Sequence, residues 1–494
     1  MNPDQLPVDL RIHIDYLAIG PEIAVIAAGL MIVLLAAVNR DRWKLDYVHL
    51  AIGLAGLAVA GFLCERQWSS IVDGKPYQAL AGMVAVDGFA VFMKVVVLAA
   101  TALALLLISG SKRREGVAHA EHHSLVLLSA SGMLMMASAN DLIVVFLALE
   151  ILSIALYVLA ASDRRRPESQ EAGLKYFVLG AFSSAFFLYG VALVYGATGT
   201  TSLPGIAQYL AANVLLSDGL LLAGIALLLV GLGFKVAAVP FHMWTPDVYQ
   251  GAPTPVTGFM AAGAKAAGFA ALLRVFATAF GIYRVDWQPF IWTLAVLSLL
   301  LGSVVAIVQS DIKRMLAYSS ISHAGFILIG LETATDRGVA ASLFYLLAYA
   351  VMVLGTFAVV TVVGRSGDDL DGYRALGRRE PVLAGILTLF LFAQAGIPLT
   401  SGFVAKINMF SAAVDAEQYS LAIIAVLVSV VAAFFYLRVV VLMFMSDEEG
   451  AASGRLHIDT PTVIVVGLAG AFTIVLGVLP SVFLDFARDA TLLF

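Results

Sequence analysis

Cysteine and charged side chains are scarce in this sequence, and both shortages narrow the possible functions. Cys64 is the single cysteine among 494 residues, so the chain cannot form an internal disulfide. CxxC, clustered Cys/His and haem-attachment patterns are also missing. We therefore expect no redox centre, cofactor or metal in the chain itself, although a histidine pair could still bind a metal. Charged residues make up 13% of the chain, against about 25% in soluble domains, and they form no basic patch that would fit a nucleic-acid partner.

Long apolar runs are what the sequence has instead. Hydrophobic residues make up 61% of the chain and the mean hydropathy is +0.95, which indicates an all-α polytopic membrane protein surrounded by the lipid bilayer. Residues 1–19 lack the apolar core and cleavage site of a signal peptide, so the first apolar run should be retained as a span. Since one span needs about 20 apolar residues, we predict fourteen transmembrane helices at residues 20–38, 47–64, 86–109, 122–139, 141–161, 172–197, 213–244, 256–280, 288–309, 312–331, 338–363, 382–412, 419–444 and 460–486.

The seventh and twelfth predicted spans are too long for one straight crossing. The seventh contains Pro240 and the twelfth contains Pro398, so each is predicted to be a discontinuous helix. Each is also the fourth helix in a block of five, and because five is odd we predict two inverted repeats, a plan common in transporters. The predicted division is N-terminal helices one to three at 1–118, a first repeat of helices four to eight at 119–285, an inverted second repeat of helices nine to thirteen at 286–446, and C-terminal helix fourteen at 447–494.

Basic residues in the predicted loops are unevenly distributed between the two sides of the membrane. Loops after odd-numbered spans hold sixteen of the Lys and Arg residues, and the loops and termini on the other side hold six. The positive-inside rule therefore places the richer side in the cytoplasm and both termini on the outer, periplasmic side. The length and the span count suit a bacterial plasma (inner) membrane.

A few charged side chains fall inside the predicted spans, where an ammonium group costs roughly 2.5–3.5 kcal/mol to insert. The basic ones are Lys94, Lys175, Lys235, Lys265, Arg274, Lys406 and Arg438. We interpret Glu150, the acid nearest the middle of a span, as a carboxylate that relays a proton and pairs with a lysine on a neighbouring helix. Lys235 is the strongest candidate for a proton carrier, because burial and a nearby acid act on its charge in opposite directions. A static ion pair between Glu150 and Lys235 is the alternative.

Two further lysines extend this candidate line. Lys265 lies in the middle of its span among small residues, which permit close helix packing and leave room for water. Lys406 follows Pro398 by eight residues, and we interpret it as the counterpart of Lys235 on the second broken helix. Its alternative is to extend to the membrane interface as a snorkelling lysine.

The remaining candidates have weaker support from the sequence. His242 and His323 could shuttle protons or could be hydrogen-bonded packing residues. Lys94 and Lys175 lie near the starts of their predicted helices and could snorkel, with Lys175 the better functional candidate. Arg274 and Arg438 are interpreted mainly as structural.

Four stretches of the sequence resemble a known family. They are KYFVLGAFSS at 175–184, PFHMWTPDVYQGAPTPVTGF at 240–259, MLAYSSISHAG at 315–325 and GIPLTSGFVAKINMF at 396–410. These stretches are similar to the antiporter-like membrane subunits of the proton-pumping NADH:quinone oxidoreductase, respiratory complex I, and the similarity extends over nearly the whole chain. The first stretch, together with GPEI at 20–23, favours the subunit N branch over the sister subunits L and M.

The resemblance implies a function and the residues that perform it. Glu150, Lys235, Lys265 and Lys406 match the family's glutamate on helix five and its lysines on helices seven, eight and twelve. In the family these residues form a half-channel from the cytoplasm, a central lysine axis and an exit half-channel. The chain is then expected to be a translocase subunit that moves protons while other subunits, which hold the flavin and iron–sulfur clusters, oxidise NADH and reduce quinone. Its expected partners are other membrane-arm subunits, including the sister antiporter-like subunits.

Two other kinds of protein share these features. A subunit of a monovalent cation/proton antiporter would have the same helix count and the same buried lysines, and it would show sodium-dependent exchange. A non-conducting structural membrane subunit would anchor its neighbours and would tolerate neutral substitutions at the four buried charges.

Overall fold

The computed structural model describes residues 14–38, 46–111, 120–213, 218–364, 369–446, 456, 458–490 and 492. Two short strands, β1 Tyr77–Ala79 and β2 Val84–Val86, pair antiparallel, and the rest of the regular structure is helical. In chain order the α-helices are α1 Gly20–Val38, α2 Asp46–Asp73, α3 Gly88–Gly110, α4 Ala120–Ser138, α5 Leu142–Ala160, α6 Pro167–Thr198, α7 Leu203–Ala212, α8 Gly219–Val236, α9 Trp244–Gly251, α10 Thr254–Phe259, α11 Lys265–Arg274, α12 Arg284–Ile307, α13 Ile312–Glu332, α14 Asp336–Val363, α15 Leu376–Arg379, α16 Pro381–Ala395, α17 Ser401–Asp415, α18 Tyr419–Met445, α19 Thr460–Val478 and α20 Ser481–Asp489.

Twelve helices in the described part of the chain are long and apolar enough to cross a membrane. This confirms an all-α polytopic membrane protein. Two of the predicted spans are not among the twelve: one is α4, and the other is the pair α16 and α17, of which α16 is apolar but only 15 residues long. Several loops that carry basic residues of the topology prediction, at 39–45, 112–119, 365–368 and 447–455, lie outside the described residues.

The first predicted break lies between α8 and α9. Helix α8 ends at Val236, Ala237 follows with a left-handed φ of 61°, and the helix resumes only at Trp244. Val236 is four residues before Pro240, and a proline ring clashes with the carbonyl at that position, so the helix cannot continue to the proline itself.

The second break lies between α16 and α17. Helix α16 ends at Ala395, and Gly396 has a φ of 88°, a conformation that glycine adopts without steric cost. The two breaks do not place their lysines equivalently. Lys235 is the next-to-last residue before its break, whereas Lys406 lies in the helix after its break, and Gln394 occupies the position that corresponds to Lys235. The interpretation of Lys406 as the positional counterpart of Lys235 is therefore wrong.

The centre of the bundle is formed by the chain between Thr254 and Ala279 and by α14. Every residue in the most apolar 18-residue window of each is buried inside the protein. The first of these segments is interrupted by π-helical turns at Met260–Ala264 and Val275–Ala279. Such turns inside α-helices occur frequently at functional sites, and the first one ends directly before Lys265.

Two buried ion pairs link helices in the N-terminal half. Lys94 Nζ on α3 lies 2.9 Å from Glu22 Oε1 on α1, and the lysine side chain is 1% exposed. Lys94 therefore does not snorkel to the interface, because a carboxylate holds its ammonium group inside the bundle. Arg274, at the end of α11, donates from both terminal nitrogens to the two carboxylate oxygens of Asp87 at 2.8 Å each. Both side chains are fully buried, and this bidentate geometry fixes α11 against α3.

The β-hairpin and α7 are not predicted by the apolar pattern. The hairpin strands have three residues each, which is too short for an alternating pattern to stand out. Helix α7 has ten residues and begins after Ser202, whose Oγ accepts a hydrogen bond from the Gly205 amide at 3.4 Å. It is too short to cross a bilayer.

Candidate functional site

Glu150 lies in the middle of α5. The N-terminus of this helix is capped by Asp141, whose carboxylate accepts a hydrogen bond from the Ile143 amide at 2.8 Å. Glu150 is half-buried. Ser184 on α6 donates a short hydrogen bond from Oγ to the Glu150 carboxylate, so a neutral hydroxyl group holds the acid in place.

Lys235 on α8 is 4% exposed. Its Nζ lies 2.9 Å from Ser153 Oγ and 3.2 Å from the hydroxyl oxygen of Tyr176. Glu150 and Lys235, both of which the structure describes, do not form an ion pair, because each bonds to a serine instead. The static ion pair is therefore not the arrangement in this conformation, and the ammonium group has neutral acceptors.

A small cavity lies beside Lys235 and beside the serine partners of both charged residues. Lys235, Ser153 and Ser184, the partner of Glu150, are among its lining residues. Its free volume of about 10 Å³ is close to the minimum of roughly 10–15 Å³ that one water molecule needs. One water in this cavity would bridge the acid side and the lysine side of the site.

Aromatic packing positions Tyr176, the second acceptor of Lys235. The Tyr176 ring stacks on Trp244 with a centroid distance of 4.5 Å and an interplanar angle of 8°. Trp244 Nε1 in turn donates to the Phe234 carbonyl at 2.9 Å. The helix after the break therefore supports the lysine that precedes the break.

Lys265 is the first residue of α11, directly after the π-helical turn. It is 2% exposed, and its Nζ donates to the Ser320 carbonyl oxygen at 2.7 Å and to Ser320 Oγ. Gly268 lies one turn further along α11, and a Cβ atom placed on it would lie 3.1 Å from Lys235 Cγ. The stem of Lys235 therefore packs directly against the helix that carries Lys265.

His323 joins the line on α13, the same helix that carries Ser320. His323 is 2% exposed, with Nδ1 2.7 Å from the Tyr345 hydroxyl and Nε2 3.1 Å from the Tyr436 hydroxyl. The Tyr436 hydroxyl also shares a short hydrogen bond with Ser319 Oγ. Ser319, Ser320 and His323 thus place hydroxyl and imidazole groups on α13 beyond Lys265, and Tyr436 connects two of them to α18.

Lys406 on α17 closes the line. It is 4% exposed, its Nζ donates to the Ala395 carbonyl at 2.8 Å, and it lies 4.8 Å from the ring centroid of Phe326. Gly396 permits this contact, since a Cβ atom there would lie 2.8 Å from Lys406 Cδ. The unwound turn therefore supplies both the acceptor and the space for the lysine, and the side chain does not snorkel.

Six cations in the described residues are buried, and one of them, Lys313 in the first turn of α13, donates to the Ala252 carbonyl at 2.8 Å. The other five, which lie deeper in the bundle, fall into two kinds. Lys94 and Arg274 are paired with carboxylates, whereas Lys235, Lys265 and Lys406 donate to hydroxyl and carbonyl oxygens. A buried ammonium group with neutral acceptors can lose its proton, and this removes the free-energy cost of burying a charge. The three lysines are therefore suited to exchange protons, and the two paired cations are suited to fix the helices.

Lys175 and His242 do not hydrogen-bond to this line. Lys175 is 42% exposed and pairs with Asp247 at 2.7 Å and with Glu171 at 2.8 Å, and Arg314 also contacts Asp247 at 2.7 Å. Burial alone would raise the pKa of the Asp247 carboxyl group, but hydrogen bonds from Lys175 and Arg314 outweigh it and hold that pKa below its usual value. His242 lies half-buried in the break between α8 and α9.

Sequence reasoning missed most of the neutral partners. Ser153, Tyr176, Ser184, Ser320 and Tyr436 were not singled out, although each contacts a candidate charge or His323. A usable signal was present for Ser153, which lies one helical turn after Glu150 and so shares its face. The other contacts join helices that are distant in sequence, and spacing alone does not reveal them.

The chain matches a known family over most of its length. Residues 139–432 match the family model described as NADH:quinone oxidoreductase/Mrp antiporter, TM. The chain belongs to this family. NADH-quinone oxidoreductase subunit N of Trichlorobacter lovleyi is 43% identical over 477 residues and covers 96% of each chain. Subunit N of Mycobacterium tuberculosis is 41% identical over 528 residues, which is 97% of this chain and 98% of the relative. The resemblance to subunit N is confirmed.

Solved structures agree with the family assignment. A chain of respiratory complex I from Thermus thermophilus with bound Aureothin is 34% identical, with a TM-score of 0.79 over 95% of this chain and 100% of that chain. A chain of the Mrp complex from Dietzia sp. DQ12-45-1b has a TM-score of 0.85 over 96% of this chain and 97% of that chain, at 23% identity. The second likeness establishes the shared fold alone.

Proposed function

We propose that this chain is a membrane-arm subunit of an NADH:quinone oxidoreductase that translocates protons through its line of buried charges. The chain itself carries out no redox step and binds no cofactor. NADH oxidation and quinone reduction take place in partner subunits that hold flavin and iron–sulfur clusters. Other membrane-arm subunits, including sister antiporter-like subunits, are its partners. The names of the relatives and the buried line support this assignment.

One observation carries the proposal. The ammonium groups of Lys235, Lys265 and Lys406 are buried, and each donates to neutral oxygen atoms. An ammonium group in hydrocarbon is costly, and a role in packing alone would be served by an apolar side chain of similar size at no such cost. Three such groups on helices that meet at the centre of the bundle favour a path along which a charge moves.

The geometry suggests a sequence of proton transfers. Quinone reduction elsewhere in the complex changes the separation of Glu150 and Lys235, which now bond to different serines. When the carboxylate approaches it favours the ammonium form of Lys235, and when it withdraws it favours release of the proton towards Lys265. Ser320 and His323 then lead towards Lys406. Coupling of this kind needs two states whose balance the remote site shifts.

We also propose that the chain has fourteen spans arranged as two inverted five-helix repeats, at 119–285 and 286–446, between N-terminal helices at 1–118 and a C-terminal helix at 447–494. Matching close contacts support the repeats. A Cβ atom on Gly132 of α4 would lie 2.7 Å from the Leu152 amide nitrogen, and a Cβ atom on Gly302 of α12 would lie 2.5 Å from the Ser322 amide nitrogen. The same number of residues separates Gly132 from Gly302 and Leu152 from Ser322.

Helix caps at the same offset support the repeats independently. Asp141 caps α5 and Asp311 caps α13, and each accepts a hydrogen bond from an amide in its own first turn. The residue before each aspartate accepts an amide hydrogen bond from a distant leucine, Leu203 at 3.0 Å and Leu370 at 2.8 Å. The positive-inside count favours a bacterial plasma membrane orientation with the α13 cap in the cytoplasm and both termini outside.

A monovalent cation/proton antiporter subunit is the second candidate, favoured by the close fold likeness to the Mrp complex. The identity to subunit N relatives is much higher. Exchange of sodium for protons by the purified complex in liposomes without NADH would favour the antiporter. Proton pumping that requires NADH and does not require sodium would favour the oxidoreductase subunit.

Reconstitution tests the proposed function. The complete complex is placed in liposomes with Lys235→Ala or Glu150→Ala, and NADH-driven proton pumping is measured together with quinone reduction. We expect both variants to assemble and to lose most of the pumping. Arg165→Ala is the matched control, because it removes an exposed charge from a loop. Normal pumping with normal coupled turnover in both buried-site variants would contradict the proposal.

A further inference from the structure

A cleft opens at the end of the bundle where α12, the C-terminus of α13 and the turn before α18 meet. Its volume is about 380 Å³, enough for a cluster of waters at roughly 10–15 Å³ of free volume for each. Gln288 and Trp292 line it from α12, and Gln418 lines it from the turn before α18. The one acidic side chain in this lining is Glu332.

Glu332 is the last residue of α13 and is 3% exposed. Its Oε2 atom is buried and has no hydrogen-bond partner among the described residues, and it forms no ion pair with them. Gln288 donates to the backbone carbonyl of Glu332 at 2.6 Å and not to its carboxylate. Arg337, five residues along the chain, is paired with Asp415. An ionised carboxylate that is buried without a partner costs several kcal/mol, so this site is suited to hold a proton.

Helix α13 connects this cleft with the buried charges. At about 1.5 Å per residue, Glu332 lies roughly 13 Å beyond His323 along the helix axis. Phe326 lies between them, with its ring centroid 4.8 Å from Lys406 Nζ. Phe326 and Phe410 of α17 pack with ring centroids 6.2 Å apart. Two aromatic side chains therefore occupy the space on α13 and α17 between Lys406 and the level of the cleft.

We propose that Glu332 and its cleft form the outer end of the proton path, where Glu332 accepts the proton that leaves Lys406 and releases it to water in the cleft. The inference rests on the proposed function and on the proposed orientation. Helix α13 is capped by Asp311 and has Arg314 in its first turn, and this end lies on the side assigned to the cytoplasm. Glu332, at the other end of the helix, therefore faces outside. Glu332 is the proton-release group, and the aromatic pair keeps the path closed until Lys406 is charged.

Paired substitutions in the complete, reconstituted complex test this role. Glu332→Gln keeps the size and the polarity of the side chain but cannot exchange a proton, and Glu332→Asp keeps the carboxyl group. We expect Glu332→Gln to lower the initial pumping rate by roughly a hundredfold, at the low end of what a proton-transferring side chain contributes, and Glu332→Asp to restore most of it. If NADH oxidation is also slowed, an uncoupler should not restore its rate, because the block is not a back-pressure of the proton gradient.

A labelling experiment locates the cleft on the outer side. Gln418→Cys places a thiol in the lining of the cleft, and a membrane-impermeant methanethiosulfonate with a bulky charged group is added to one side at a time. We expect the reagent to lower pumping only from the outer side, relative to the same variant before labelling. The complex without the new cysteine, treated in the same way, is the background. Inhibition from the cytoplasmic side alone would overturn the inference.

Two further variants separate the possible outcomes. Glu417→Gln removes an exposed acid beside the cleft and should pump at the wild-type rate. Lys406→Met should abolish pumping if the proposed function is right. If Lys406→Met pumps normally, the proposed function fails. If Lys406→Met stops pumping while Glu332→Gln pumps normally, only the assignment of Glu332 fails.

Discussion

The ammonium group of Lys235 donates to Ser153 Oγ at 2.9 Å, although Glu150 lies one turn earlier on the same helix as Ser153. The carboxylate of Glu150 is meanwhile held by Ser184. The two charges are therefore not in direct contact, and a cavity the size of one water lies beside Lys235 and both serines. Ser153 and Glu150 lie one turn apart on α5, so a movement of α5 against α8 that exchanges them would give Lys235 a carboxylate in place of a hydroxyl group as its partner.

Ser153→Ala tests the neutral partner. The substitution leaves the ammonium group of Lys235 with the Tyr176 hydroxyl alone, and a hydrogen bond to a charged group contributes roughly 1.5–3 kcal/mol. We expect the proton equilibrium of Lys235 to shift and NADH-driven pumping to fall by roughly tenfold, since 1.4 kcal/mol corresponds to about tenfold. The measurement is proton uptake in proteoliposomes at saturating NADH.

Ser129→Ala is the matched control, because Ser129 is a buried serine that bonds to the Leu152 carbonyl at 3.0 Å and touches none of the candidate charges. Its pumping rate should stay near that of the unaltered complex. Equal losses in the Ser129 and Ser153 variants would mean that packing, and not the lysine, is affected.

Gly396→Ala tests the turn that holds Lys406. The backbone at Gly396 has a φ of 88°, and a left-handed conformation costs a residue with a Cβ atom about 1–2 kcal/mol. The new methyl group would also approach Lys406 Cδ to 2.8 Å, so we expect less assembled complex and slower pumping per complex. Gly385→Ala, on the same α16 helix with open space around its Cα atom, should be harmless or slightly stabilising. A harmless Gly396→Ala would show that the turn does not position the lysine.

Arg274→Met tests the structural ion pair. Removing the guanidinium group leaves the Asp87 carboxylate buried without its partner, which costs roughly 3–5 kcal/mol. We expect a lower thermal unfolding midpoint for the complex in detergent and a lower yield. Adding Asp87→Asn removes the stranded charge and should recover part of the loss. If the double variant is as unstable as the single one, the charge is not the cause.

The sequence was sufficient for the fold class and for the breaks in two helices. Apolar runs locate nearly all long helices, because every backbone polar group in hydrocarbon must be satisfied within a helix. Pro240 and Pro398 mark the breaks for a local steric reason. The π-helical turn before Lys265 and the ten-residue α7 could not be predicted, since neither changes the apolar pattern.

The candidate site could be predicted only in part. Charged side chains inside apolar runs stand out, so Glu150 and the lysines were found. The pairing of Lys94 could not be predicted, because its partner, Glu22, lies on another helix, and the pairing of a cation across helices leaves no trace in local spacing. The two proposed repeats also differ in chemistry. Ser320 follows Glu150 by the same number of residues as Gly302 follows Gly132, so a serine in the second repeat corresponds to the glutamate in the first. The network of neutral groups around His323 is therefore visible only in three dimensions.

The central claim is that Lys235, Lys265 and Lys406, whose acceptors are neutral, carry protons, whereas Lys94 and Arg274, which are paired with carboxylates, hold helices. The most direct measurement compares the number of protons pumped per NADH oxidised for two variants of the assembled complex. Lys265→Met removes a cation whose acceptors are neutral, and the double variant Glu22→Gln with Lys94→Met removes a buried ion pair as a unit. We predict that the first variant pumps fewer protons per NADH and that the second keeps the full ratio in whatever complex assembles. A full ratio with Lys265→Met, or an equal loss in both variants, would contradict the claim.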